Sequence, residues 1–438
     1  MNDEINANGQ QYRLRRKWYR TVLLFAAAAG LLLLGFMVMT EYKNRLPDEL
    51  NLLAESEESF DFNLPASAEI VPNVSVVSGQ ESNVPKDRLH LNFNEPFTIR
   101  SGKTGSYTAN VKLFGFLTLK KISIGVIDPV SVIPCGNQVG IYLETDGLLV
   151  LGTSPVADAS GMESEPCLGL LKSGDYILAV DGTAVSRKEA LIEEINRWES
   201  GELILSVRRG ERELSVPVTP VRTADGSVKI GAWIRDDTQG IGTMTYLTQD
   251  GSFGALGHGI TDVDTGVLME IGGGKIYQAE IIGIVKGRQG SPGELSGVIH
   301  MTDSKRLGDI TANTGQGIFG RITAEEALYG EPVEIALKQE VRTGSASILC
   351  AAGGSVEEYE IEIEEINLSG KSLSKGLVVH ITDEELLELT GGIVQGMSGS
   401  PILQDGRLIG AVTHVFIRDS TRGYGIFIEN MLDQTAGG

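Results

Sequence analysis

The most restrictive feature of the sequence is an uncharged run at positions 21–40, TVLLFAAAAGLLLLGFMVMT. As an α-helix rising about 1.5 Å per residue, it would extend about 30 Å, which matches the hydrocarbon core of a bilayer. The basic residues that precede it are Arg13, Arg15, Arg16, Lys17 and Arg20. The positive-inside rule then places the N-terminus in the cytoplasm and the remaining chain outside. We expect a membrane anchor over 21–40, with a cleaved signal peptide as the alternative.

Composition limits what the exported part can be. The chain has 438 residues and a formal net charge of -21, so an acidic surface would repel nucleic acid phosphates, and we expect no nucleic acid partner. Glycine is frequent, at 55 residues, and is scattered without a collagen period. Many short strands joined by tight turns use glycine in this way, which predicts a mainly β fold.

Residues 126–222 combine strands, turns and one helix in a recognisable order. LKSGDYILAVDGTAV predicts a strand between two turns, and SRKEALIEEINRW predicts a helix with Ser186 as its N-cap candidate. ELILSVRRGERELSVPV predicts a hairpin that turns at Arg209–Gly210. This order resembles a PDZ domain of the permuted bacterial kind. Such a domain binds a peptide as an added strand, and the resemblance implies a groove lined by Gly140, Ile141 and Tyr142; the alternative is a spacer with an unoccupied groove.

From about residue 223 the sequence consists of short strands separated by glycines, which predicts an antiparallel barrel or a pair of barrels. Two motifs in this region could carry chemistry. GALGHGITDVDTG places His258 between glycines, where the imidazole would be accessible. His380 and His414 lie instead in apolar strand patterns, and we expect them to be packed core residues.

The second motif is GGIVQGMSGSPIL, residues 391–403, which places Ser398 between glycines. A serine nucleophile needs a base and a site for the developing oxyanion. In double-barrel serine peptidases G-x-S-G supplies the oxyanion site, which would here use the N–H groups of Gly396 and Ser398. Gly399 and Pro401 would shape the loop. A tight turn that merely contains serines is the alternative.

The acid that would orient the histidine is left open by the residues alone. Asp262 and Asp264 follow His258 closely, Asp303 lies farther along, and Asp383 begins the helical pattern of TDEELLELTGG. Each could equally be a turn or helix-cap aspartate.

The motifs LGHGITD, GGIVQGMSGSPI, IGAVTHVF and GYGIFIENML together resemble the stage IV sporulation protein B peptidases of endospore-forming bacteria. The resemblance implies an N-terminal membrane segment, a PDZ domain and a C-terminal trypsin-like double β-barrel. It implies His258 as general base, Ser398 as nucleophile and Asp383 as the orienting acid. It also implies self-cleavage, which we expect in the segment between about 45 and 85.

The same resemblance implies partners and a location. The partners would be the protein's own N-terminal region and a membrane-bound regulator of an intramembrane protease. The peptidase would cut this regulator in the space between the two forespore membranes. That cut would lead to activation of a late sigma factor. We expect no cofactor and no metal. The rival functions are a non-catalytic membrane-tethered PDZ adaptor and a housekeeping quality-control protease.

These patterns predict six segments: a cytoplasmic basic segment 1–20, the anchor 21–40, a stalk 41–85, a β-rich segment 86–125, a PDZ domain 126–222 and a serine peptidase domain 223–438.

The chain has three cysteines, Cys135, Cys167 and Cys350. We expect three buried thiols, with a Cys135–Cys167 disulfide as the alternative.

Overall fold

The computed structural model describes residues 2–60, 62–72, 89–100, 104–323, 330–370 and 372–435. The chain divides into two compact units, Met1–Asp128 with Asn367–Lys371, and Pro129–Ile366 with Ser372–Gly438. Strands predominate in the described residues, which confirms the mainly β fold class.

Over its described residues, the first unit contains one helix and seven strands. Their bounds are α1 Asn2–Arg45, β1 Glu49–Leu53, β2 Glu57–Phe60, β3 Ala66–Pro72, β4 Leu89–Asn92, β5 Phe97–Arg100, β6 Gly105–Leu113 and β7 Leu117–Ile127. Five strands form a sheet in the order β1-β7-β6-β3-β4, in which β1 and β7 are parallel, while β2 pairs with β5.

Helix α1 contains the apolar run found in the sequence. Its segment Trp18–Arg45 contains an 18-residue stretch with a mean hydropathy of 2.6 and is long and apolar enough to cross a membrane. A signal sequence near an N-terminus meets the same criteria of length and apolar composition. The structure therefore supports an apolar N-terminal helix, and the orientation in a membrane stays a prediction.

The stretch 41–85, predicted as a stalk, is folded in its described residues and contributes β1, β2 and β3. Leu46, Leu50 and Leu52 are buried in the core of the first unit. The ammonium of Lys120 donates to the carbonyl of Leu46 at 2.5 Å and lies 2.9 Å from the carboxylate of Asp48. These apolar and charged contacts attach the end of α1 to the sheet, so the described part of this stretch is not a free linker.

The second unit contains the remaining elements. Its strands are β8 Ser131–Pro134, β9 Gln138–Thr153, β10 Val156–Ala157, β11 Glu163–Ser164, β12 Tyr176–Val180, β13 Thr183–Ala184, β14 Leu203–Arg209, β15 Arg212–Val218, β16 Val221–Arg222, β17 Val228–Lys229, β18 Ala232–Leu247, β19 Ser252–Ala255, β20 Ile271–Val285, β21 Glu294–Ile299, β22 Arg306–Thr314, β23 Gly317–Ile322, β24 Val333–Glu334, β25 Gly344–Cys350, β26 Glu357–Ile366, β27 Leu377–Ile381, β28 Pro401–Gln404, β29 Arg407–Phe416 and β30 Asp419–Phe427. Its helices are α2 Lys188–Asn196, α3 Glu384–Thr390 and α4 Ile428–Thr435, with 3₁₀ turns at Asp303–Lys305 and Leu373–Lys375.

The segment predicted as a PDZ domain has its own apolar core, to which the second half of β9, β12, β14, β15 and α2 contribute. The hairpin predicted at Arg209–Gly210 is present, with Gly210 at φ +57° between β14 and β15. The N-cap of α2 is Arg187 rather than Ser186. The first N–H group of the helix, that of Lys188, donates to the carboxylate of Asp236 on β18 at 2.9 Å. A strand outside the helix therefore supplies the cap that we expected from Ser186.

The first barrel is formed by β9, β20, β22, β23, β19 and β18 in that order, and pairing of β18 with β9 closes it. Both β9 and β18 are long enough to extend from this barrel into the sheet around α2: Leu143 pairs with Thr238 in the barrel, and Val150 pairs with Ile234 beyond it. Residues 138–145 thus pair within the first barrel, although the sequence groups them with the PDZ segment.

The predicted PDZ groove is contradicted at this point. Gly140, Ile141 and Tyr142 lie in β9, which pairs with β18 along one edge and with β20 along the other. A peptide can add to a strand only where one backbone edge is unpaired. These three residues therefore build the first barrel and cannot line a strand-addition groove.

The second barrel is closed by β25, β26, β27, β30, β29 and β28. Helix α3, predicted from TDEELLELTGG, follows β27 and leads into the loop before β28. That loop, residues 391–400, contains Ser398 and packs against β18 of the first barrel. The pair of barrels predicted from the glycine-separated strands is present, and the two chemical motifs lie in loops of these barrels, one after β19 and one before β28.

Candidate active site

The loop 391–400 is shaped by glycines that no other residue could replace without strain. Gly399 has φ +98°, and a Cβ there would lie 2.1 Å from the carbonyl oxygen of Thr243. Gly396 also has φ +98°, and its Cβ would press on Leu295 at 3.1 Å. The left-handed backbone and the close approach explain why glycines flank Ser398 at these two positions.

Strand β18 fixes the loop by donating hydrogen bonds from two threonine hydroxyls and one backbone N–H to the loop carbonyls. The hydroxyl of Thr243 donates to the carbonyl of Gly396 at 2.7 Å, and the N–H of Thr243 donates to the carbonyl of Ser398 at 3.0 Å. The hydroxyl of Thr245 donates to the carbonyl of Gly399 at 2.8 Å. Three loop carbonyls are thus held by one strand of the opposite barrel.

The N–H groups of the same loop remain available. Among the residues that the structure describes, neither the N–H of Gly396 nor that of Ser398 donates to a protein acceptor. Their neighbours Met397 and Gly399 donate to the carbonyls of Val394 and Val412. Two N–H groups without protein acceptors, on a rigid loop beside a serine, are the donors that an oxyanion requires.

His258 lies in a loop after β19 that packs against β29. Gly257, at φ +69°, approaches β29 so closely that a Cβ would lie 2.9 Å from the methyl group of Thr413. The Nδ1 atom of His258 is 2.9 Å from the carbonyl oxygen of Gly259. A carbonyl only accepts, so Nδ1 carries the proton and Nε2 carries the lone pair of the neutral ring. Burial lowers the pKa of His258 below its usual value.

Ser398 and His258 are neighbours of the same residue of β29. The hydroxyl of Ser398 donates to the carbonyl of Thr413 at 2.7 Å, while the loop of His258 packs on the Thr413 side chain. In the described chain Ser398 makes no direct hydrogen bond to His258. A rotation of the serine side chain away from Thr413 would be needed before the hydroxyl could donate to Nε2, as is common in unliganded active sites.

His414 is a site residue that the sequence pattern missed. We expected it to be a packed core residue, but it is exposed, and its ring centroid lies 4.8 Å from that of His258. Although the residue is exposed as a whole, partial desolvation of its imidazole lowers the pKa of His414 to about 4, and the positive charges of His258 and Lys375 act in the same direction. Its position next to Thr413 in IGAVTHVF was the signal that could have identified it.

The candidate acids have other partners. One carboxylate oxygen of Asp383 accepts from the N–H of Leu386 at 3.0 Å and the other from the N–H of Glu360 at 3.2 Å, so Asp383 caps α3. Asp262 is buried and forms an ion pair with Arg235, which also binds Asp264. Asp303 begins a 3₁₀ turn. Among the described residues, none of these carboxylates hydrogen-bonds to His258. The Nδ1 atom of His258 hydrogen-bonds to the carbonyl of Gly259 instead.

The remaining reactive side chains are separate from the site. The three cysteines are free thiols, and burial raises the pKa of Cys135 and of Cys167 to about 12. The described residues contain no group of three His, Cys, Asp or Glu side chains arranged to hold a metal ion.

Comparison with solved structures found two relevant likenesses. The PDZ domain of an SdrC-like protein from Listeria monocytogenes is 21% identical, with a TM-score of 0.17, covering 20% of this chain and 87% of that one. The inactive form of the Rv3671c protease is 14% identical, with a TM-score of 0.25, covering 45% of this chain and 85% of that one. Among curated proteins, none matches the chain.

The family comparison covers the part of the chain that holds both motifs. Residues 226–432 match the model of the SpoIVB peptidase S55 family, a range that includes His258, Ser398 and every strand of the two barrels except β9. This agrees with the family resemblance of the quoted motifs and with the geometry around Ser398. The region 226–432 of this chain is therefore similar to the SpoIVB peptidase S55 family, and the protein is a peptidase.

Proposed function

We propose that the protein is a membrane-anchored serine endopeptidase in which Ser398 is the nucleophile and His258 the general base. The observation that carries the proposal is the combination at one loop of a serine hydroxyl and two N–H groups, those of Gly396 and Ser398, that donate to no acceptor among the described residues. A tight turn needs neither feature. The two rigid barrels hold the groups in place, as acyl transfer requires.

The reaction follows from the protonation of His258. Nε2 takes the proton of the Ser398 hydroxyl once that hydroxyl leaves the carbonyl of Thr413. The serine oxygen attacks the scissile carbonyl, and the resulting oxyanion is bound by the N–H groups of Gly396 and Ser398. The protonated Nε2 then donates to the leaving amine, and the acyl-enzyme is hydrolysed by a water that His258 deprotonates.

The orienting role is assigned to the carbonyl of Gly259 rather than to a carboxylate. A backbone carbonyl fixes the tautomer and the ring plane of a histidine through its Nδ1–H. Asp383, the acid implied by the family resemblance, would then act from a distance: it caps α3, and α3 ends at the start of the Ser398 loop. In this account Asp383 is a positioning residue.

The biological setting follows from the family. We propose that the chain cleaves itself and a membrane-bound regulator in a sporulation pathway, from a location outside the cytoplasm next to the forespore membrane. The support is the family match over 226–432 and the apolar helix that precedes the folded units. Self-cleavage was expected between about 45 and 85. The described residues of this stretch include three strands, β1–β3, whose backbone pairing would hinder cleavage, and residues 73–85 lie outside the described residues.

A cleavage assay with two matched serine variants tests the enzymatic proposal. The intact protein, Ser398→Ala and Ser400→Ala would each be incubated with casein and with a candidate membrane-bound substrate, and products would be sequenced from their N-termini. Ser400 lies in the same loop and is buried, so it controls for changes to the loop. We expect Ser398→Ala to abolish all cuts, including those in the protein itself, while Ser400→Ala retains them.

The same assay distinguishes the rival functions. Equal processing by Ser398→Ala and the parent would overturn the proposal that Ser398 is the nucleophile, whereas no cleavage by any of the three proteins would favour the non-catalytic adaptor. Extensive digestion of casein would indicate a quality-control protease, whereas a single cut in one partner protein indicates signalling.

A further inference from the structure

A cavity of about 680 Å³ adjoins the Ser398 loop and has no role in the chemistry described above. It is lined by residues 239–241 of β18, by residues 294–297 of β21, by Ile299 and Met301, and by Gln395 and Gly396. Neither His258 nor Ser398 lines it. The cavity therefore lies to one side of the catalytic pair, where a neighbouring part of a bound polypeptide would be placed.

The wall between the cavity and the oxyanion donors is rigid. The N–H of Leu295 donates to the carbonyl of Gln395 at 2.8 Å, and the N–H of Gln395 donates to the carbonyl of Gly293 at 2.8 Å. Gly396 packs directly on Leu295. Because Gly396 both lines the cavity and supplies an oxyanion N–H, a substrate side chain in the cavity belongs to a residue close to the scissile bond. An extended chain advances about 3.3–3.6 Å per residue, which limits the distance to about two residues.

The lining combines an apolar interior with one charge. Leu295 is buried, Ile241 and Ile299 are half-buried, and Met301 is exposed at the rim. Glu294 is the charged side chain of the lining; it is exposed, and within the described part of the chain no ion pair to it is found. Gln239 and Gln395 add neutral amides. This lining suits a long aliphatic side chain that ends in a cation, because the stem packs on apolar surface while the charged end stays near water.

We propose that this cavity is a substrate subsite that selects a lysine or arginine within two residues of the scissile bond, and that Glu294 sets the charge preference. The proposal rests on the proposed peptidase function. Glu294 is a specificity residue here: it contacts the substrate side chain and takes no part in the proton transfers of His258 and Ser398.

The test scans one lysine through a peptide substrate of otherwise neutral residues. The lysine is placed in turn at each of the three positions before and after the scissile bond, with glutamine at the same position as the uncharged reference. The enzymes are the intact protein, Glu294→Gln, Glu294→Lys and the control Glu213→Gln, which changes an exposed glutamate on β15. The readout is kcat/KM for each peptide at low and high salt.

We expect lysine to raise kcat/KM about fivefold over glutamine at one position within two residues of the cut, as a partly exposed ion pair can. The preference should disappear in Glu294→Gln, reverse toward glutamate in Glu294→Lys, persist in Glu213→Gln and weaken at high salt. Cleavage of the all-neutral peptide should be the same in the control Glu213→Gln and the parent. A lysine preference that is missing in the parent, or unchanged in Glu294→Gln, would overturn the proposal.

A binding measurement separates this proposal from the proposed catalytic function. The affinities of the lysine and glutamine peptides for the Ser398→Ala protein and for the Ser398→Ala/Glu294→Gln protein would be measured by fluorescence anisotropy. Tighter binding of the lysine peptide that depends on Glu294 supports the subsite even if cleavage fails. Equal binding of both peptides by both proteins contradicts it, whatever the parent cleaves.

Discussion

His258 combines two properties that suit a base at moderately acidic pH. Its Nδ1 proton is committed to the carbonyl of Gly259, and its ring is covered by that of His414. Covering the ring removes water from the charged form, which lowers the pKa of His258 below the ordinary 6.5. The neutral, catalytically competent form therefore persists to lower pH than in an exposed histidine.

The first prediction concerns the pH dependence of kcat/KM. Since His258 must be neutral to accept the serine proton, activity should fall as the pH drops through its lowered pKa, with a midpoint below 6.5. His414→Ala should uncover the ring and move that midpoint upward toward 6.5. His300→Ala, which alters a histidine that pairs with Glu280 instead, is the matched control and should leave the midpoint unchanged. An acid midpoint at or above 6.5 in the parent would contradict this account of His258.

The second prediction concerns the backbone around the nucleophile. Gly399→Ala would put a Cβ 2.1 Å from the carbonyl of Thr243 at φ +98°, so the loop must shift and the oxyanion donors with it. We expect kcat to fall at least about 100-fold, the usual effect of losing one oxyanion donor. Gly406→Ala, at φ +76° in the turn between β28 and β29 with open space around it, is the control. Gly406→Ala should lower the unfolding free energy by about 1–2 kcal/mol and leave the activity unchanged. Equal losses of activity in Gly399→Ala and Gly406→Ala would show that backbone strain alone explains the losses.

Helix α3 links an aspartate to the nucleophile loop over a short distance in sequence. Asp383 caps its first turn, and Gly391, the first residue of the Ser398 loop, ends it at φ +73°. A helix cap is worth about 1 kcal/mol, and serine or asparagine can replace aspartate in that role. An acid that orients a catalytic histidine behaves differently, because asparagine in that position costs about 10⁴-fold in kcat.

The third prediction uses this difference. Asp383→Ser and Asp383→Asn should keep kcat within a few-fold of the parent, because both preserve the cap, whereas Asp383→Ala should lower the unfolding free energy by about 1 kcal/mol. Steady-state kinetics and urea unfolding measure the two effects. A large loss of kcat in Asp383→Asn, with stability unchanged, would restore Asp383 as the orienting acid and refute the role given to Gly259.

The elements differ in how far the sequence could predict them. The hairpin at Gly210 and helix α3 are signalled locally, by turn glycine and by helical spacing, and both are present. The cap of α2 is not local, because Asp236 lies 48 residues from Lys188 in the sequence. The prediction chose Ser186 instead, since that residue lies close to the start of the helix. The PDZ groove failed for a similar reason: the pattern around Ile141 indicates a strand, but only tertiary pairing decides that both of its edges are occupied.

At the scale of the second unit, β9 and β18 join two regions that the sequence treats as separate domains. Each strand has 16 residues and pairs with the other on both sides of the junction. The segment 126–222 therefore shares its sheet with the first barrel. Composition and motif order could predict the succession of an apolar helix, a PDZ-like segment and barrels. Neither composition nor motif order shows that a strand continues from one region into the next.

The fourth prediction follows from these shared strands. In a Trp18→Phe protein, tryptophan fluorescence reports on Trp198 and Trp233, in and beside the core around α2. Loss of peptidase activity reports on the barrels. We expect the two urea transitions to coincide, because unfolding one region breaks β9 and β18 in the other. Transitions with separate midpoints would show that the two regions unfold as independent domains.

The claim on which the account depends is that His258 activates Ser398, and covalent labelling tests it most directly. The intact protein, Ser398→Ala, His258→Ala and Ser400→Ala would be treated with a fluorophosphonate, and the modified residue would be located by mass spectrometry. We predict stoichiometric labelling of Ser398 in the parent and in Ser400→Ala, and none in the other two variants. Labelling of Ser398 at the parent rate in His258→Ala, or labelling at a different serine in the parent, would contradict it.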